Sequence, residues 1–420
     1  MRTEFLLLLP IGIGILLLTL LKAEIGLYFV VLSIIFSPEI NLGYLPQHDL
    51  IVRFDDLLLG LVLFSWLARI AVFKDDKPIP DTPLNRPIFY YMSATIFPSV
   101  ISVIKGEANL LAVFFHILKY IEYFLLFFMT YVILKKDYQK YVIIGLILFT
   151  SVIACLYSFP HAGKGRLGAP FEYPPEPNTY GGFLLINQAI LLSIITHTDD
   201  VKKKVLSFMI LSLNLYITLY TLSRCTYMAM LFLYPYALLT GKKKKSLIFY
   251  LTMGLLVMFM WKPQKVIERI MNTFKPTGGI FFGIPLDSSA AARLISWKIL
   301  FLNAIRSYKF IIGHGVTTFF VDSQYVRVFG EAGIIGLITF FYLLITLYSN
   351  LIKVYNEVKE NSDKIISYSA LLALIGICIH AITANSFIII RIAEPFWILM
   401  AVALKLPEVS KWKRKEYSKV

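Results

Sequence analysis

The chain has 420 residues and 48.0 kDa, with 58% apolar residues, 16% charged residues and a mean hydropathy of +0.71; soluble domains run at roughly 45–50% and ~25%, so a soluble globular protein is excluded. Its 41 Lys and Arg outnumber 26 Asp and Glu, giving a net charge of +15; in a membrane protein that excess belongs first to cytoplasmic loops, so nucleic acid is not an implied partner. The three cysteines, Cys155, Cys225 and Cys378, lie scattered without a Cys-x-x-Cys pair, so neither a disulfide framework nor a zinc site is supported.

In chain order, apolar runs occupy 5–21, 24–36, 54–73, 88–104, 110–134, 141–159, 179–196, 204–221, 224–240, 245–261, 331–353, 365–384 and 386–404. Most are about 17–25 residues long, enough for a helix to cross a ~30 Å hydrocarbon layer. They do not alternate polar with apolar as the strands of an outer-membrane barrel do. The pattern predicts an all-α fold, a polytopic membrane bundle of about 12 transmembrane helices. The first run is too long for a secretory h-region and meets no small-residue cleavage site, so it is expected to be a retained span.

Lysines and arginines cluster in alternate gaps: Lys74, Lys77 and Arg86; Lys135, Lys136 and Lys140; Lys202 to Lys204; Lys242 to Lys245; Lys353, Lys359 and Lys364; and the tail from Lys411 to Lys419. The positive-inside rule makes these gaps cytoplasmic and leaves 38–53, 105–109, 160–178 and 262–330 on the outer face. The 24–36 run is short for a span and ends at Ser37-Pro38-Glu39. A bent or re-entrant pair puts the N-terminus inside, the orientation expected here; two full spans put it outside. No repeat of 20–50 residues is visible, so neither a solenoid nor a parallel-repeat transporter is indicated.

The chain thus divides into helices and an outer loop over 1–261, an outer-face region over 262–330, and terminal helices with a basic tail over 331–420. Long loops with their own composition are functional or disordered. The 262–330 region has helix-like apolar spacing at Val266–Phe274 and Ala290–Tyr308, and amphipathic helices over the outer mouth are expected. The prolines of Tyr173–Asn178 (YPPEPN) remove donors and restrict their predecessors, predicting a non-helical segment that either shapes a sugar groove or merely connects.

Three arginines stand against the charge rule on this outer face: Arg166 in GKGRLGAPFEYPPEPN, Arg224 in TLSRCTY and Arg293 in SSAAARLISWK. Each alone reads as a helix C-cap or a side chain snorkelling to headgroups. Together they point to an anion such as a pyrophosphate, because guanidinium binds phosphate oxygens bidentately and stays charged.

From Arg166 to Gly336 the pieces RLGAPFEYPPEPN, TLSRCTY, RLISWKILFLNAIRSYKFIIGHGVTTF and DSQYVRVFGEAGIIGL, with weaker echoes FDDLLLG and LKYIEYFLLFF upstream, resemble the shared core of the O-antigen ligase and O-antigen polymerase superfamily. The resemblance implies a GT-C-like membrane glycosyltransferase at the outer face of a bacterial inner membrane, working without metal or other cofactor. Its donor would be a glycan on a polyprenyl pyrophosphate, and its acceptor another glycan or a lipid A core. The family's pyrophosphate-holding arginines fall on Arg224 and Arg293, with Arg166 a further candidate; Tyr325 and Glu331, in the last motif, are assigned to substrate binding.

Ligases of this kind carry a His-Asn pair two residues before the tyrosine, whereas this chain reads Val321-Asp322-Ser323-Gln324-Tyr325. Asp322 is the first candidate for the base that activates the acceptor hydroxyl, and it competes with a role as helix N-cap, for which Ser323 is an equal rival. His314, between Gly313 and Gly315, and His380, in a span with Arg391 and Glu394 farther along, are the other candidate bases; a lone His on an apolar helix is ordinarily a core group. Three functions stay open: a polymerase of lipid-linked repeat units, a ligase to lipid A core, and a transporter of a lipid-linked or anionic substrate. The polar motifs gather at one face rather than at the bilayer midplane, against the transporter.

Overall fold

The computed structural model describes residues 2–45, 48–74, 77–172, 174–261, 263–281, 283–305 and 309–417. Ten helices run first: α1 (Arg2–Leu21), α2 (Ala23–Ser33), α3 (Phe54–Phe73), α4 (Asn85–Ile104), α5 (Leu110–Ile133), α6 (Asp137–Ser158), α7 (Pro177–His197), α8 (Val201–Tyr220), α9 (Arg224–Thr240) and α10 (Lys244–Trp261). Then come α11 (Gln264–Met271), α12 (Ser288–Ile305), α13 (Lys309–Ile312), α14 (Gln324–Glu357), α15 (Asn361–His380) and α16 (Ile390–Tyr417). Two hairpins interrupt them, β1 (Glu39–Leu45) with β2 (His48–Arg53), and β3 (Ile280–Phe281) with β4 (Ile284–Pro285); neither was expected from the apolar pattern. Among the described residues, α3, α4, α5, α6, α7, α14 and α15 are long and apolar enough to cross a membrane. The protein is a helical membrane bundle.

Local chemistry sets the helix starts. Asn109 accepts from Leu111 N and Ala112 N at 2.9 and 3.2 Å, Asp200 from Lys202 N at 2.9 Å and Ser223 from Thr226 N at 3.4 Å, each satisfying donors that the first turn leaves free. Pro177 opens α7, where its missing N–H costs nothing. The non-helical segment expected over 173–178 therefore stops short of Pro177; Tyr173 lies outside the described residues. α7 is the axis of the bundle, with nearly all its side chains buried against α8, α9, α15 and α16.

The basic gaps meet at one end. Lys140 pairs with Asp137 and Asp363, Ser410 donates to Asp363 Oδ2 at 2.8 Å, Lys243 Nζ reaches Thr198 O at 3.0 Å and Asn361 reaches His197 O at 3.0 Å. The expected outer segments meet at the opposite end: Ser37 accepts from Asp55 N at 2.8 Å, and Lys309 pairs with Glu107 at 2.7 Å. There too Arg391, fully buried, pairs with Glu172 at 2.7 Å and donates to Ser37 O at 2.8 Å. A buried cation needs such partners, since an unpaired one costs several kcal/mol.

The N-terminal expectation is corrected. Ser65 Oγ donates to Leu16 O, and Arg69 NH1 to Leu20 O and Leu21 O, so α1 runs parallel to α3 and ends at the basic end. α2 then returns to Ser37 at the other end. Two helices, not a re-entrant pair, precede α3, and the chain starts at the end opposite the basic loops.

Candidate functional site

Leu222 (φ 54°) turns the chain between α8 and α9, and Ser223 caps α9, so that Arg224 is its first residue and stands at the outer end. Arg224 NH1 donates to Asp287 Oδ2 at 2.8 Å and to Thr273 Oγ1 at 3.2 Å, while its NH2 is buried without a hydrogen-bond partner among the described residues. Asp287 is itself fixed, accepting from Ala290 N at 2.9 Å as the cap of α12. One turn further along α12, Arg293 Nε donates to Asp322 Oδ2 at 3.3 Å, and Trp297 Nε1 to Asp322 O at 3.3 Å.

The three arginines chosen from the sequence converge. Arg166 is exposed at the rim; partial loss of water and then the Arg224 guanidinium, with Arg293 further off, lower its pKa, while Glu176 opposes them. A fourth, Arg269 on α11, was missed: its Nε donates to Leu222 O at 3.3 Å, and burial, Arg224 and Arg166 lower its pKa. The signal was present in Val266, Arg269 and Thr273, which repeat at helical spacing and face the site. Burial is the largest influence on the Asp287 carboxyl and would raise it, but the Arg224 hydrogen bond, the Ala290 N–H and the charges of Arg224 and Arg269 together hold it below the usual range. Four guanidiniums thus gather around Asp287, Asp322 and Glu176, and the buried Arg224 NH2 has no hydrogen-bond partner among the described residues.

Asp322 is not the cap of α14; Ser323 is, accepting from Val326 N at 3.4 Å. That frees the Asp322 carboxylate, 44% exposed and next to Arg293. His380 is fully buried against the first turn of α9: its Nε2 lies 3.3 Å from both Cys225 Sγ and Thr226 Oγ1, and its Nδ1 2.8 Å from Ser386 Oγ. Cys225, not among the candidate residues, is 3.2 Å from Asn178 Oδ1.

The other three residues lie outside the arginine cluster. His314 points at Gly330 O (Nδ1 at 3.2 Å) and packs on Phe319, and burial lowers its pKa. Tyr325 donates to Cys378 O at 2.7 Å and stacks on Phe341. Glu331 is buried, taking Arg327 Nε at 2.7 Å and the Tyr120 hydroxyl at 3.2 Å, with His116 Nε2 2.9 Å from Arg327 NH2. These contacts give all three architectural work.

The two glycine motifs form one clasp. His314 N donates to Gly330 O at 2.8 Å and Gly315 N to Glu331 O at 2.9 Å, while α14 breaks at Gly333 (φ 65°) to let Ile311 O approach. At Gly313 (φ +82°) a Cβ would collide with the Glu331 carbonyl. Gly313→Ala is expected to cost about 1–3 kcal/mol from the left-handed backbone alone, read as a lowered Tm in detergent; an unchanged Tm would show that the clasp carries no stability.

No protein-family model matches the chain, and no curated protein is similar to it. Among the described residues there is no group of three or more His, Cys, Asp or Glu placed to hold a metal ion.

Proposed function

We propose that the protein is a membrane glycosyltransferase that takes a glycan from a polyprenyl-pyrophosphate carrier at the outer face of a bacterial inner membrane and joins it to another lipid-linked glycan, polymerising repeat units of a surface polysaccharide. The finer architecture belongs to the same proposal: about 12 spans in a GT-C-like arrangement, with α11 and α12 as the outer-face cover. The single observation that carries the reading is the convergence of Arg166, Arg224, Arg269 and Arg293 at the end away from the basic loops, with the buried Arg224 NH2 left without a hydrogen-bond partner among the described residues.

The chemistry follows from the charges. As the bond from the anomeric carbon to the pyrophosphate breaks, negative charge grows on the leaving oxygens, and fixed guanidiniums stabilise it without reorganising. Asp322 accepts the proton of the acceptor hydroxyl that attacks from the opposite face, so configuration inverts and no covalent sugar intermediate forms. Transfer to a lipid A core acceptor is the second reading, supported by the same motif resemblance; the acidic residue where such ligases carry His favours polymerisation.

Purified protein given the lipid-linked repeat unit should release polyprenyl pyrophosphate and build a ladder of longer lipid-linked glycans. With arginines in the charge-neutralising role, the ladder should persist in excess EDTA. Loss of activity restored by Mg²⁺ would refute the arginine-only account, and failure to release polyprenyl pyrophosphate under any condition would refute transfer itself.

A further inference from the structure

α11 has two working faces. Val266, Arg269 and Thr273 turn inward: Val266 is buried, Arg269 reaches Leu222 O, and Thr273 accepts from Arg224. Ile267, Ile270, Met271 and Phe274 turn away from the protein, exposed by 51%, 46%, 64% and 57%, at the 3-1-3 spacing of one helical stripe continued through the 3-10 turn Asn272–Phe274. Gln264, Glu268 and Lys275 are exposed beside that stripe. In water this surface has nothing to cover it, and an eight-residue helix is too short to hold its shape unaided.

Its position says what covers it. α11 begins three residues after the end of α10, an apolar helix of 18 residues that starts in the basic gap at Lys242 to Lys245. Lys265 Nζ donates to Gly163 O, and Arg269 binds the turn between α8 and α9, so α11 lies level with the points where the helices leave the bundle. Apolar side chains are also exposed on the neighbouring β3–β4 hairpin, Ile280 by 71% and Ile284 by 51%, and along α9 and α10, at Leu231, Phe232, Ile248 and Phe249. Lys275 follows the stripe and is exposed, placed to meet a lipid phosphate while the apolar face is buried, as in interfacial helices.

We propose that α11 is an interfacial helix whose Ile267–Phe274 stripe is embedded in the outer leaflet of the membrane. The occupant is the lipid surface, and the consequence deepens the reading proposed above, on which it rests. The arginine site is fastened through Arg269 and Thr273 to a helix lying at headgroup depth, where the pyrophosphate of a lipid-linked donor resides. The donor then reaches Arg224 by sideways diffusion, with its polyprenyl chain still in the leaflet.

The test reads insertion directly and needs no transfer activity, so its failure is distinguishable from failure of the glycosyltransferase reading. Full-length protein is reconstituted in vesicles of phosphatidylethanolamine and phosphatidylglycerol with a nitroxide at Ile270→Cys, Met271→Cys or Glu268→Cys, one at a time. The unsubstituted protein, with Cys155 and Cys225 buried, gives the labelling background. Collision rates with oxygen, which concentrates in hydrocarbon, and with a water-soluble nickel chelate are compared. At 270 and 271 the nitroxides should collide several-fold more with oxygen and several-fold less with nickel than at 268. Nickel collisions at 270 and 271 matching those at 268 would place the stripe in water and overturn the proposal. Low collision with both reagents would show a protein cover, such as a second copy of this chain, and would overturn it equally.

Discussion

Arg224→Ala should lower transfer by about 10²–10³-fold, the usual scale for removing one preorganised group that meets developing negative charge. Arg293→Ala should act similarly. Lysine should rescue poorly at either position, because it is a point charge without the planar fork. The obvious rival is that Arg224 only anchors Asp287, and with it the cap of α12. The double variant Arg224→Ala, Asp287→Asn separates the two, because Asn still caps a helix but leaves no unpaired carboxylate behind. If Arg224 is a structural anchor, the double variant regains activity; if Arg224 receives the donor pyrophosphate, it stays inactive while Tm recovers. Full activity of both single Ala variants in a matched complementation host would sink the site.

The bundle was legible because membrane helices announce themselves by length and composition. Nearly all its helices fall on apolar runs, and the alternation of basic gaps was enough to sort loops to two ends. The errors came where local pattern underdetermines geometry. The 24–36 run looked too short to traverse the bundle, yet α2 with the turn after it reaches Ser37, where Arg53 binds Ile34 O and Asp55 and Arg391 bind the Ser37 hydroxyl and carbonyl. The β1–β2 and β3–β4 hairpins escaped notice since two strands carry almost no periodic signal.

The candidate site was half legible for a related reason. Arginines that violate the topology rule can be found one by one, and Arg166, Arg224 and Arg293 were. Arg269 was hidden in an amphipathic stretch where a basic residue is ordinary, and only the docking of α11 on the α8–α9 turn makes it a neighbour of Arg224. Glu331 and Tyr325 show the converse: a motif that suggests substrate contact supplies an ion pair with Arg327 and a hydrogen bond to Cys378 O. Sequence order put these residues close to Asp322, and the turn of α14 carried them to a different face.

Asp322→Asn should lower kcat by roughly 10²–10⁴-fold, the range for losing a general base. Its side chain is 44% exposed, is not needed to cap α14, and touches the reacting region through Arg293. Asn keeps the size and an acceptor oxygen for Arg293 Nε, so the variant removes basicity while sparing the fold. A counter-charge role predicts something different: with the carboxylate gone, Arg293 would be freer for the anionic donor, and the KM for donor would fall while kcat held. The base role predicts a collapse of kcat with donor KM unchanged or lower. His380 competes least well in the ground state, since it is fully buried and bonded to Ser386, and His314 is committed to Gly330 O. If Asp322→Asn turns over normally while His380→Ala or His314→Ala does not, the proton goes to a histidine, and the Arg293–Asp322 pair is a counter-ion arrangement only.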